Sequence, residues 1–274
     1  MKLLKLFKFN YMLFKNCTIG SDPELFLIDK TTGKVVSSIG IIPGEKDNAF
    51  REKEWPKGFG LEIDNILAEF NIPAVKTKKS WLKNMNFMKN YIRNFIQQIN
   101  PNLDILCTAS MMVDDDQLNS DAAKLFGCDP DYNAYTEQAN PKPQGDRGNL
   151  RSAGCHIHIG YPKCNVETSV ALIKYLDAFV GVPSVLIDTD TKRRSLYGKA
   201  GSFRLQPWGV EYRVLSSKFI ENDDLLTWVW DQVQMAVTAC HYSLQLPPQD
   251  LVIKAINESD KELAKQLIKK YNLT

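Results

Sequence analysis

The tightest constraint in this chain is a period of two. At residues 155–159, Cys-His-Ile-His-Ile, two of the three histidines alternate with apolar side chains. A β-strand there sets His156 and His158 on one face and Cys155, Ile157 and Ile159 on the other. An imidazole pair on an otherwise apolar strand is expensive to bury unless something binds it. Three further segments repeat the pattern with carboxylates. Residues 20–27 align Asp22 and Glu24 against Leu25 and Leu27. Residues 60–70, read as one extended run, align Glu62 and Asp64 and bring in Glu69 at the opposite parity through a bulge or bend. Residues 210–214 align Glu211 and Arg213 against Val210, Tyr212 and Val214. Any one of these is equally an antiparallel strand with its polar side in water. Four together point to a shared, oxygen-rich site with one or two imidazoles. Such a donor set suits hard divalent cations, Mg²⁺ or, with a nitrogen ligand, Mn²⁺.

Other metal chemistries fit less well. An amidohydrolase-type H-x-H needs further strand-end histidines, and the third, His241, falls in an amphipathic helix. Structural zinc wants closely spaced Cys and His, which the sequence lacks. A cupin-like site wants a glutamate within about five residues of the H-x-H; the next is Glu167, at a helix start. Residues 191–204 add Lys192, Arg193, Arg194, Lys199 and Arg204 with two glycines. Guanidinium groups beside a carboxylate-bound metal form a polyphosphate clamp, since Arg offers a rigid bidentate fork. A solvated basic turn is the alternative.

With 274 residues, 44% of them apolar and 24% charged, the chain can bury a sizeable core without staples. Its net charge of +2, from 34 basic and 32 acidic residues, gives no reason to expect general nucleic-acid binding. Lys5 and Lys8 interrupt the apolar start, which reads as an N-terminal extension over 1–16 rather than a signal peptide. No stretch is expected to span a membrane. The six cysteines are scattered without a C-x-x-C pair and read as buried thiols, which points to the cytoplasm.

From 17 to 274 the chain reads as one α+β domain. Residues 24–40 suggest a hairpin turning at 30–33. An amphipathic helix follows, with Trp81, Met85, Met88, Ile92, Phe95 and Ile99 inward, Ser80 as its cap and Pro101 beyond its end. Its basic back, Lys79, Lys83 and Arg93, reads as a solvated face. Residues 104–110 suggest a strand. About 111–153 form a loop-rich insertion, helical only over 120–126, of the kind that shapes binding pockets. A helix from about 165 to 181 is expected to stop at Pro183, and others start at Asn222 and at a Ser259-x-x-Glu262 capping box. Trp228 and Trp230 suit either core or interface. Without βαβ alternation or a Gly-rich phosphate loop, an antiparallel sheet is favoured over a Rossmann type.

The motifs GSDPELFL, DNILAEFNIP, AGCHIHIG, RRSLYGKAGSFR and GVEYR, in that order over about 19–217, resemble the glutamine synthetase-like carboxylate-amine ligases. They are most similar to the phage and bacterial COOH-NH2 ligase type 2 group. The resemblance implies a glutamine synthetase-like catalytic domain, a curved antiparallel sheet backed by helices. It also implies an ATP-dependent activity: a carboxylate is phosphorylated to an acyl phosphate, and an amine displaces phosphate. On the matching positions it implies metal ligands at Asp22, Glu24, Glu62 or Asp64 with Glu69, His156 and Glu211. His158 would face the nucleotide, with Arg194 and Lys199 as further nucleotide contacts. Arg204 and Arg213 would hold phosphates or the substrate carboxylate, and Arg151 could meet a substrate anion. The expected cofactors are ATP and Mg²⁺ or Mn²⁺. The expected partners are small-molecule or peptide carboxylates and amines, with neither membrane nor general nucleic acid, in an oligomer of open size, and in the host cytoplasm if phage-encoded. An idle nucleotide- or metal-binding regulator and a phosphotransferase of related fold are the rival readings.

Overall fold

The computed structural model describes residues 16–46, 48–124, 131–140 and 148–274. The expected N-terminal extension, Cys128 and part of the 111–153 insertion therefore lie outside the described residues.

The central strand is β1 (Thr18–Asp29), long enough to take different partners along its length. Its far half pairs with β2 (Val35–Val36) across the 30–33 turn, so that hairpin forms with a shorter second strand than the sequence suggests. The run 60–70 is not one strand. It folds back as β3 (Gly60–Asp64) and β4 (Leu67–Val75), around Asn65 in the left-handed region at φ 59°. That hairpin resolves the parity conflict, because Glu62 sits opposite Glu69 in the β3–β4 register and both carboxylates share a face. The first helix, α1 (Lys78–Ile99), is capped by Thr77, whose side chain accepts from the Ser80 N–H, so Ser80 is the capped residue and not the cap. Trp81, Met85, Met88, Ile92 and Ile96 are buried on it. Ile99, expected inward, is 56% exposed, since the apolar stripe drifts onto Ile96 at the last turn.

β5 (Leu103–Leu106) pairs with the far half of β1, and β6 (Ser110–Met112) leads into the insertion. Within it lie a 3₁₀ turn, Asp115–Leu118, outside the stretch expected to be helical, a turn of α-helix, Asp121–Lys124, a small hairpin β7 (Tyr132–Asn133) and β8 (Gln138–Ala139), and β9 (Leu150–Ser152), which pairs with β6. The histidine strand is β10 (Cys155–Gly160). After it, α2 (Val166–Leu176) opens with an Asn165/Thr168 capping box. This helix does not stop at Pro183. A π-helical turn, Asp177–Gly181, carries it into α3 (Val182–Ile187), where Pro183 occupies the first turn and its missing N–H costs least. The composite Val166–Ile187 is, against expectation, long and apolar enough to cross a membrane, and 72% of its most apolar window is buried inside the fold. After α4 (Lys192–Leu196), β11 (Ser202–Gln206) and β12 (Gly209–Tyr212) form a tight hairpin. Three helices close the chain: α5 (Asp223–His241), α6 (Gln249–Asn257) and α7 (Lys261–Tyr271). Asn222 caps α5 as expected. Asp260, not Ser259, caps α7, since Ser259 is held at φ 53° and cannot adopt the extended cap geometry.

The result is a mixed α/β fold around a large antiparallel sheet flanked by helices, in the order β3-β4-β1-β10-β12-β11-β7-β8, with β2 and β5 on the far half of β1. Pro23 sits inside this sheet because the ladder parts there: Cys155 N–H donates to Leu215 O, while Glu24 N–H reaches Gly154 O. The two faces have different fates. Ile19, Leu25, Ile157, Ile159, Val210 and Tyr212 join one core with Trp81, Met85, Leu172 and Val233 of the helices. Trp230 packs against Trp81, with centroids 6.1 Å apart, and Trp228 stacks on Phe219 at 5.1 Å, so both indoles pack within the fold. On the opposite face Phe26 joins a smaller core with Ile66, Leu67, Val113, Leu118 and Ala123, which seats the insertion beside the polar end of β1.

Candidate active site

Antiparallel pairing turns four separate alternations into one row. Asp22 is opposite His156, Glu24 opposite Glu69, Glu69 opposite Glu62, His158 opposite Glu211, and Glu211 opposite Arg204. Asp22, Glu24, Glu62, Asp64, Glu69, His156, His158, Arg204, Glu211 and Arg213 all line one cavity of about 330 Å³, together with Lys46, Asn71 and Gln206. Two sets of donor atoms within it lie inside 4.8 Å of one another: Asp22, His156 and Glu211, and Glu24, Asp64 and Glu69.

The first cluster is neutralised by its neighbours. His156 Nδ1 is 3.2 Å from Asp22 Oδ1 and 3.7 Å from Glu211 Oε1, and His158 Nε2 is 3.2 Å from the same Asp22 oxygen. Arg213 donates to Glu211, Arg204 Nη1 stands 3.6 Å away, and the Gln206 amide donates to Glu211 Oε2 at 3.1 Å. Burial pushes the Asp22 carboxyl up, but the charges of His158 and His156 and their hydrogen bonds outweigh it, and Asp22 ends well below the usual range. Glu211 is likewise raised by burial and by Asp22, then carried below its ordinary value by Arg213, His156 and His158. His158 is raised, because Asp22 more than offsets the desolvation of its imidazolium.

The second cluster has less relief: Lys46 and Arg213 pull Asp64 down but do not overcome its burial and the neighbouring carboxylates. Burial, reinforced by the charge of Glu24, lifts Asp64 to about 7. Burial and then Asp22, Glu24, Asp64 and Glu62 push Glu69 well above its ordinary value. Glu24 accepts the Gly154 N–H at 2.6 Å, which fixes its carboxylate against β10. Buried carboxylates that oppose one another in this way fit a divalent cation, which would hold them ionised. Oxygen donors on one side and a mixed oxygen and imidazole set on the other suit Mg²⁺ or Mn²⁺.

Beyond this row lies a second, smaller cavity of about 60 Å³, sharing Glu24, Asp64, His156 and Arg213 and walled by Arg151, Arg193, Asp131, Tyr197 and Gly154. Arg193 is buried, with Nη1 donating to Val214 O at 2.9 Å, and burial lowers its pKa. Arg151 donates to the carbonyls of Gly148, Leu150 and Ala123, so it ties the insertion together while walling the pocket. Two expected phosphate contacts lie elsewhere. Arg194 turns into the helical layer, donating to Ser184 Oγ at 3.0 Å and approaching Ser259 Oγ at 3.3 Å. Lys199 is solvent-exposed and lines neither cavity, its side chain directed by a turn whose backbone is fixed by the Ser202 N–H.

Sequence reasoning missed Gln206, Lys46, Asn71, Asp131 and a site position for Arg193. Gln206 shares the parity of Arg204 on β11, and Asn71 that of Glu69 on β4, so both were open to the same alternation argument. Lys46 and Asp131 come from irregular segments and carry no periodic signal.

Residues 149–273 match the family model of the phage phiEco32-like COOH.NH2 ligase-type 2. The similarity to these carboxylate-amine ligases thus covers a little under half of the chain. It includes His156, His158, Arg204, Glu211 and Arg213, while Asp22, Glu24, Glu62, Asp64 and Glu69 precede it and join those residues through the sheet. No curated protein matches the chain. Among solved structures, a bifunctional glutathione synthetase from Pasteurella multocida is similar at a TM-score of 0.46 and 9% identity, over 97% of this chain and 50% of that one. The chain spans about half the length of that protein.

Proposed function

We propose that the chain is an ATP-dependent carboxylate-amine ligase, with a glutamine synthetase-like catalytic domain, that forms an amide through an acyl phosphate. The observation that carries this reading is the convergence of two carboxylate clusters from β1, β3, β4, β10 and β12 on one cavity bordered by Arg204 and Arg213. The family match over the ligase half supports the reaction class.

Joining a carboxylate to the γ-phosphate brings two anions together, and the requirement is electrostatic rather than covalent. Asp22, His156 and Glu211 would hold one divalent ion and Glu24, Asp64 and Glu69 another, with Glu62 behind Glu69. Bound there, Mg²⁺ or Mn²⁺ would neutralise phosphoryl charge and help orient the transfer. Arg204 and Arg213 border the same cavity and would hold the transferred group. His158 would sit under the nucleotide. In the reaction a carboxylate oxygen of the substrate attacks the γ-phosphorus and the bond to ADP breaks. The amine nitrogen then attacks the acyl carbon, the bond to phosphate breaks, and the amine's proton passes to a cavity carboxylate or solvent. Arg193 and Arg151, walling the small cavity, mark the end where a substrate carboxylate would enter. Arg194 and Lys199 take no part.

The test is to incubate the protein with ATP, Mn²⁺ and a panel of carboxylic acids in hydroxylamine. Hydroxamate and ADP in equal amounts are expected with at least one acid. Metal-dependent ATP binding without turnover across a broad panel would instead favour the idle regulator. A stable phosphorylated product that hydroxylamine does not capture would favour a phosphotransferase.

A further inference from the structure

We propose that Trp208 is the platform on which the base of the nucleotide stacks, so that the site is polarised from an aromatic end to a narrow cationic end. This rests on the ATP reading above and adds the residue that would recognise the base. Trp208 is 42% exposed, and a single exposed indole needs no explanation in itself. Its place does. It stands with Pro207 in the two-residue turn of the β11–β12 hairpin, where Gln206 pairs with Gly209. The turn is pinned to β10 and its exit. Tyr161 N–H donates to the Trp208 carbonyl at 3.0 Å, Cys164 Sγ lies 3.3 Å from Pro207 O, and a Cβ at Gly209 would stand 2.0 Å from Ile159 O. The backbone is therefore fixed while the indole stays open. Its ring centroid is 5.1 Å from that of His158, inclined by 50°, and His158 and Gln206 on either side of it in the sheet both line the metal-cluster cavity.

The order along β10 gives the direction. His156 is shared with the small cavity of Arg193, His158 lies two residues on, and Trp208 stands beyond it near Gly160. The Arg193 end holds about 60 Å³, far less than the several hundred Å³ of pockets that take nucleotide-sized ligands. It has room for a small anionic group and none for a purine. The Trp208 end is open and presents a π-face. Stacking tolerates any base, so discrimination between ATP and GTP should be weak.

The experiment measures the affinity of the full chain for ATP and for inorganic tripolyphosphate, both with Mn²⁺, in wild type, Trp208→Ala and Trp208→Phe. Trp208→Ala should weaken ATP roughly ten-fold while tripolyphosphate binding stays within about two-fold, and Trp208→Phe should restore most of the ATP affinity. Equal loss for ATP and tripolyphosphate, or no loss for either, overturns the proposal and leaves the ligase reading standing. Failure of the wild type to bind ATP overturns both.

Discussion

The two carboxylate clusters lie side by side on one sheet, yet their charges are balanced in opposite ways. Asp22 and Glu211 lie among cations: His158 and His156 hold Asp22 below its ordinary value, and Arg213, His156 and His158 do the same for Glu211. Asp64 and Glu69 are half-buried beside other carboxylates, and both are raised, Asp64 despite Lys46 and Arg213. The first cluster carries its own countercharges without an added ion. The second is frustrated, which is a common property of a site built for something the chain itself does not supply.

The largest expected effect breaks the satisfied side. Glu211→Gln leaves Arg213 buried without its carboxylate, and should destabilise the metal-free protein by about 3 kcal/mol in denaturant melts at pH 7.5. Glu69→Gln should have the opposite sign in the same assay, a gain of about 1 kcal/mol, because it removes one of several mutually repelling buried charges. If both variants lose stability alike, the contrast between the clusters is wrong.

The next effect is read with metal. Added at about 100 times its dissociation constant, Mn²⁺ should stabilise the wild type by about 2.7 kcal/mol, and Glu69→Gln should lose most of that gain. Calorimetric titration of each variant at fixed pH checks it. A full metal response in Glu69→Gln would remove the second cluster from the site.

How far the sequence disclosed this arrangement depends on whether a residue's role is set by its own strand. The alternations at Asp22/Glu24, His156/His158 and Glu211/Arg213 were legible, because period two follows from strand geometry alone, and the antiparallel sheet then places those residues on one face. Glu69 was brought in through a bulge or bend, but that the bend is a full hairpin was not legible, because the turn at Asn65 carries no Gly that would have announced it. Arg194 and Lys199 were misplaced for a different reason. A basic run says nothing about which guanidinium turns inward, and here α4 sends Arg193 to the cavity wall and Arg194 into the helical layer. The continuation of the helix past Pro183 was also invisible, since it depends on the π-turn that precedes it.

A pH titration sharpens the contrast further. Asp64, raised to about 7, is protonated below that pH in the metal-free protein, so a cation must displace its proton. The apparent affinity for Mn²⁺ should fall at least ten-fold for each pH step of one below 7, since Glu69 is raised as well and adds to the protons the cation displaces. Asp64→Asn should bind more weakly at pH 8 and have a shallower slope. An affinity that is flat from pH 6 to 8 in the wild type would contradict the assignment.

A last effect lies behind the sheet and asks whether burial without countercharge has the same signature away from the cavity. Asp177, in the π-turn, accepts the Tyr212 hydroxyl at 2.9 Å and the Gly201 N–H at 2.6 Å, and thereby ties the helical layer to β11 and β12. Burial still wins and raises its carboxyl to about 7. With the folded value above the unfolded one, its contribution is fully present below about pH 4. It is lost as the pH rises toward 7, because the unfolded chain ionises over that window and the folded chain does not. Asp177→Asn should therefore cost more stability at pH 4.5 than at pH 7.5, with a difference of about 3 kcal/mol in denaturant melts. A cost that grows with pH would mean that the Tyr212 and Gly201 donors hold Asp177 ionised. It would then resemble Asp22 and Glu211, whose partners overcome burial, rather than Asp64 and Glu69.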